Sequence, residues 1–185
     1  NTYFAFRDLA GIVARTGAKV DYRPFNLGSV FRHHEYKLME EPRTKLRYRG
    51  EDLRRWAEWK KLPFRMPDEF PIKTSRALRG ALVMKELGLE QPYLDRLFRA
   101  YWEQNVNVQA YSTITSLIAD LNVDAGEFVE RAESEPIRQQ LIDSTNEGLE
   151  RGIFGAPTCM VGEAMFWGKD RMDFVERAVL AANSR

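Results

Sequence analysis

Strand-forming stretches occupy only two places in this chain, residues 19–23 and 158–167, and helical periodicity fills most of the interval between them. Lys19-Val20-Asp21-Tyr22-Arg23 alternates polar and apolar side chains, the period of a half-buried strand, and Pro24 closes it or marks a sheet edge. Gly155 to Val161 reads as a turn entering a strand, Gly162-Glu163 as a hairpin turn, and Ala164-Met165-Phe166-Trp167 as the return strand. A helix precedes the first stretch over residues 2–16, with Phe6, Leu9, Ala10 and Val13 on one apolar face and Gly17 at its C-cap. Another follows the last, Arg171 to Ala182, with Val175, Ala178, Val179 and Ala182 turned inward. Helix, strand, a long helical block, then strand, strand, helix is the order of one α/β unit interrupted by an insertion.

Residues 28–49 read as irregular and polar. Beyond them Leu53, Trp56 and Ala57 form a short apolar face, and Arg76 to Leu87 is helical and stopped by Gly88. Leu94, Leu97, Phe98 and Tyr101 repeat the helical spacing, as do Ile114, Leu117, Ile118 and Leu121. Ser134 before Glu135-Pro136 marks another helix start, because proline suits a first turn. The expected division is an α/β domain made of residues 1–27 and 151–185, with a helical insertion over 28–150. The opening helix has no strand before it, so the chain is expected to begin one strand late.

The 185 residues, 44% apolar and 30% charged, suit a globular domain that buries roughly 70% of its unfolded surface. A net charge of +1 draws the chain to neither nucleic acid nor membrane. Cys159 is the single cysteine, so no internal disulfide forms. No apolar run approaches the ~18 residues of a membrane span. Asn1 to Asp8 carries no signal-peptide pattern, and a cytoplasmic protein is expected.

The strongest local signal is Phe154-Gly155-Ala156-Pro157-Thr158 followed by Phe166-Trp167-Gly168-Lys169-Asp170-Arg171. A proline ahead of a strand can be held cis, which is expected at Ala156–Pro157. The Ala156 N–H and C=O are then free to pair with a peptide-like ligand lying as an extra strand. Asp170, at the start of the last helix, can cap it or bind an ammonium group, and the free N–H groups there favour a carboxylate. Together these two segments resemble the C-terminal signature of 2-hydroxychromene-2-carboxylate isomerases, relatives of kappa-class glutathione transferases in the thioredoxin-like superfamily. The Pro157 motif is common to thioredoxin-like proteins, whereas Trp167 to Arg171 is specific to the subfamily. The resemblance runs along essentially the whole chain.

That resemblance implies a thioredoxin-like fold with a large all-helical insertion, a homodimer, and glutathione as cofactor held by Ala156, Pro157, Lys169 and Asp170. Lys45 joins them: Lys45 followed seven residues later by Asp52-Leu53 looks like the stretch whose lysine reaches the glycyl carboxylate or an anionic substrate. Trp102 and Tyr48 are the candidate substrate contacts, with core packing the blander role for Trp102. The implied reaction isomerises an aromatic 2-hydroxychromene-2-carboxylate. A serine just upstream of Asn1, in a Ser-Pro pair ending the first strand, would hold glutathione as thiolate, so no catalytic residue is expected within the chain itself. Phe31-Arg32-His33-His34-Glu35-Tyr36-Lys37 replaces the family's Gly-Asn-x-Pro-Pro-like loop, and Asn107 stands where relatives often have aspartate.

Other readings use the same residues. A dithiol oxidoreductase needs a second cysteine where Thr2 stands, which excludes it. A kappa-type glutathione transferase and a non-catalytic binding protein remain open. Residues 43–61 hold eight Lys/Arg against three acids, without interleaved exposed aromatics or a nucleic-acid motif, so a solvated basic face is expected. His33-His34-Glu35 lacks further ligands at metal spacing, and no metal site is expected. Cys159, in an apolar strand, reads as a buried inert thiol.

Overall fold

The computed structural model describes residues 1–37 and 40–184. Nine α-helices among them run as α1 Thr2–Thr16, α2 Leu27–His33, α3 Arg43–Lys60, α4 Ser75–Glu86, α5 Glu90–Trp102, α6 Tyr111–Leu117, α7 Ala125–Glu133, α8 Glu135–Glu150 and α9 Met172–Asn183. Between α8 and α9 lies an antiparallel hairpin of β1 Thr158–Val161 and β2 Ala164–Trp167, paired from Thr158↔Trp167 to Val161↔Ala164. Gly162 turns it with φ 58°, a left-handed conformation that glycine adopts without a Cβ clash. Gly17 ends α1 the same way at φ 69°, and Ser134 precedes α8 with Pro136 in its first turn. No described helix is long and apolar enough to cross a membrane.

Three expectations about secondary structure change. Residues 19–23 form no strand. A strand exists through its ladder, and here side chains satisfy the segment instead: Lys85 donates to the Tyr22 carbonyl at 2.7 Å and pairs with the Asp21 carboxylate, which Arg23 also binds. Residues 28–49 are not irregular throughout. The Asn26 side chain accepts from the Ser29 N–H at 3.3 Å and caps α2, and α3 begins at Arg43 because its Arg and Lys side chains, polar as they are, lose little freedom in a helix. Residues 38 and 39 of that stretch lie outside the described residues. Finally, the spacing from Ile114 to Leu121 is shared between α6 and a separate 3-10 turn at Ala119–Leu121.

Three apolar clusters hold the chain together. The largest joins α4 to α8 through Met84, Tyr93, Ile114 and Phe128, with Gly80 of α4 so close to Tyr93 that a Cβ there would meet its hydroxyl at 2.2 Å. A second packs Ala5 and Ile12 of α1 and Met172 and Val175 of α9 against Cys159, Val161 and Phe166 of the hairpin. The third packs Tyr3 and Phe4 against α3, α5 and Phe64. α1 therefore faces two cores, which displaces its buried positions from the single stripe expected: Tyr3, Phe4, Ala5, Phe6 and Ile12 are buried and Ala10 is exposed.

Candidate functional site

The beginning of α1 is fixed more firmly than its helix propensity requires. The Tyr3 hydroxyl donates to the Pro63 carbonyl at 2.7 Å, and burial pushes its ionisation up to about 12. Arg7, one turn on, binds Glu103 at 2.9 Å and pairs with Asp95. α1 is thus clamped to α5 by two carboxylates and a buried phenol.

Beside it, the two halves of the C-terminal motif prove to be one packed object. The Ala156–Pro157 peptide bond is cis. Gly155 is buried under Trp167, and a Cβ on it would stand 2.6 Å from the indole Nε1. Phe154 packs on the same indole at a 5.0 Å centroid distance. The Gly168 N–H donates to the Pro157 carbonyl at 3.0 Å, closing the end of the hairpin. Gly168 itself has φ 110°, in a region L side chains rarely adopt. A Cβ there would lie 2.5 Å from Asp170 Oδ1, so the Asp170 carboxylate is folded back over the glycine. The structure therefore brings Ala156, Pro157, Lys169 and Asp170 together.

The free groups of this arrangement are specific. Among the described residues, neither the N–H nor the C=O of Ala156 takes part in a hydrogen bond. Asp170 caps neither the 3-10 turn Lys169–Arg171 nor α9, contrary to the capping role open to it. Its carboxylate pairs instead with Arg171 at 2.5 Å while 46% exposed. A pair that open to water is worth at most about 1 kcal/mol, so an incoming ammonium can compete for the carboxylate.

Lys169 is less free. Its side chain is only 10% exposed, its Nζ lies 3.0 Å from Asp52 Oδ2, and the ammonium sits 4.8 Å from the centre of the Trp56 ring. Lys60 approaches the same indole at 5.3 Å and pairs with Asp8 at 2.6 Å. Lys169, Trp56, Lys60 and Asp8 line a cleft of about 280 Å³ between α1, α3 and α9 that Asp170 also borders. Asp52 and Trp56 were not singled out as site residues from sequence. The signal was present in the Lys45-to-Asp52 spacing, but that spacing pointed to Lys45.

The remaining candidates lie apart. Lys45 pairs with Glu41 at 3.1 Å and stands about 10 Å along α3 from Asp52, as seven residues of helix dictate. Tyr48 is 57% exposed, with the Arg55 guanidinium 5.9 Å from its ring. Trp102 packs among Phe64, Phe70 and Tyr101. Exposed aromatics do accompany the basic stretch, since Trp59 is also 72% exposed; helical spacing puts them outside once α3 is recognised as one helix. His33 and His34 lie at the end of α2 with rings 5.0 Å apart.

Cys159 is half-buried against α1 and α9, and burial pushes its thiol above the ordinary range. Alkylation by iodoacetamide at neutral pH should run well below the rate for free cysteine, because burial both shields the sulfur and disfavours the thiolate that reacts. Rapid stoichiometric labelling in a mass-spectrometric time course would contradict that inert assignment.

The model of the family described as DSBA-like thioredoxin domain matches residues 2–180. The chain is similar to a 2-hydroxychromene-2-carboxylate isomerase of Sphingobium xenophagum, 24% identical over 181 residues that span 97% of this chain and 92% of that protein. It is similar to glutathione S-transferase kappa 2 of Caenorhabditis elegans, 24% identical over 165 residues, 84% of this chain and 73% of that protein. A solved 2-hydroxychromene-2-carboxylate isomerase superposes with a TM-score of 0.86 at 24% identity, covering 98% of this chain and 90% of that one, and so shares the fold.

Proposed function

The chain belongs to the DSBA-like thioredoxin domain family, and from that premise we propose that it is a glutathione-dependent isomerase of an aromatic 2-hydroxychromene-2-carboxylate-type substrate. The observation that carries the reading is the pairing of an unbonded Ala156 peptide beside Pro157 with the half-exposed Asp170 carboxylate, joined through the Gly168–Pro157 hydrogen bond. A peptide backbone would pair with Ala156 as an added strand. The γ-glutamyl ammonium would take Asp170 from Arg171, and Arg171, released, would face the neighbouring carboxylate. Lys169 acts here by holding the turn through Asp52 and Trp56. Bound there, glutathione would supply a thiolate nucleophile. A kappa-type transferase would bind glutathione through the same groups, and similarity to glutathione S-transferase kappa 2 keeps it as the second reading.

Binding tests the reading before turnover does. With a Kd near 1 mM, about 10 mM glutathione should stabilise the protein by about 1.4 kcal/mol. Asp170→Ala should remove most of that shift while leaving the unliganded melting curve close to wild type, because the Asp170 pair is solvated. A wild-type curve that does not move in glutathione would sink the cofactor assignment. Turnover of a hydroxychromene carboxylate, set against conjugation of a halogenated aromatic, separates isomerase from transferase.

A further inference from the structure

On another side of α3 lies a cavity of about 450 Å³, with Arg47, Arg54 and Arg65 over a floor of Leu53, Phe64 and Met66. We propose that this cavity is a subsite for a planar aromatic carboxylate, separate from the turn at Ala156.

Arg47, Gly50, Glu51 and Arg54 all line it and fall at i, i+3, i+4 and i+7, one face of α3. Their charges do not cancel. Glu51 lies 3.6 Å from Arg55 outside the cavity lining, and Arg65 is held by Asp68 at 3.1 Å. Arg47 and Arg54 make no ion pair and no side-chain hydrogen bond among the described residues. Two uncommitted guanidinium groups two turns apart on one helical face can present paired N–H donors to a carboxylate, which an ammonium cannot do. The floor is apolar and partly aromatic, which suits a flat ring and not a hydrated inorganic anion.

Gly50 supplies the open volume. It sits within an 18-residue helix, where glycine weakens the structure relative to alanine, and a Cβ built on it meets nothing within 4 Å. Neither the helix nor its packing needs a glycine there, and the missing side chain leaves the cavity open on that side. Its place relative to α1 is also defined. Phe64 stands 5.4 Å from Phe4 in the first turn of α1 and stacks on Trp102 at 6.0 Å. One aromatic ring therefore separates the cavity from the beginning of α1. The functional role of the subsite rests on the isomerase reading, since it is there that the reacting thiol is expected. The binding chemistry does not.

Calorimetric titration with 2-naphthoate, 2-naphthamide and inorganic phosphate tests the subsite. The Arg47→Gln/Arg54→Gln protein should bind 2-naphthoate roughly ten-fold or more weakly, the loss of one charge-assisted pair, and 2-naphthamide within about two-fold of wild type. Gly50→Leu should abolish binding of both ring compounds with an unchanged or higher Tm, since leucine is the better helix former. Naphthoate affinity unaltered by both changes overturns the proposal, and so does phosphate binding as tight as naphthoate and lost in the same variants. Glutathione-induced stabilisation is measured on the same proteins. Retained stabilisation with unaltered naphthoate binding defeats the subsite alone. No stabilisation anywhere, with naphthoate behaving as expected, defeats the glutathione reading and leaves the subsite standing.

Discussion

Asp52→Leu is expected to lower the unfolding free energy by about 2–3 kcal/mol and Tm by roughly 4–12 °C, one of the two largest effects of any change at the site. The reason is the company Lys169 keeps. Its side chain is 10% exposed and its ammonium rests on the Trp56 ring, with Asp52 the carboxylate that compensates it at 3.0 Å. Removing the carboxylate leaves a charge with little water and only an indole face. Asp52 is itself 31% exposed, which places the effect below the full cost of breaking a completely buried pair. The informative control is Asp52→Leu/Lys169→Met. With both charges gone no ion is stranded, so the double variant should recover most of the loss. A single variant that melts within about 0.5 kcal/mol of wild type, or a double variant that melts no higher than the single, would refute the strut.

Gly168→Ala should damage both stability and ligand response. The φ of 110° alone costs about 1–3 kcal/mol with a Cβ present. The added carbon would also stand 2.5 Å from Asp170 Oδ1, so the carboxylate must swing away or the turn must open, and opening strains the hydrogen bond to the Pro157 carbonyl. Glutathione stabilisation should therefore vanish, not merely weaken. Adding Asp170→Ala separates the two causes. If contact with the carboxylate dominates, Gly168→Ala/Asp170→Ala melts above Gly168→Ala; if the backbone dominates, the two coincide. A Gly168→Ala protein with a wild-type melt and a wild-type glutathione shift would refute the account of the turn.

The site was legible in sequence where local geometry alone decides it. Gly155, Pro157, Gly168 and Asp170 lie within one hairpin and its exits, so their spacing already fixed their proximity. The alternation at 19–23 misleads for the opposite reason: it is genuine, but the partner of its backbone is the side chain of Lys85, 63 residues from Tyr22, and no local pattern announces that. The first two turns of α3 were hidden because residues 43–49, four of them basic, look irregular when charge is weighed above side-chain shape. With those turns unrecognised, Arg47 could not be seen to share a face with Gly50 and Arg54. That Gly155 is small because Trp167 lies on it required both segments in three dimensions.

The double burial of α1 bears on how such a chain can be recombined. Tyr3 and Phe4 belong to the core built with α3 and Phe64, whereas Ala5 and Ile12 belong to the core built with the hairpin and α9. The helical block and the hairpin thus share a single rod as a common wall. An exchange between relatives that swaps only residues 28–150 would import one side of that wall without its matching aromatic surface. Successful chimaeras must carry the first turn of α1 with the helical block, so the natural crossover points of this architecture fall inside a helix and not at the junctions that a division into two modules would suggest.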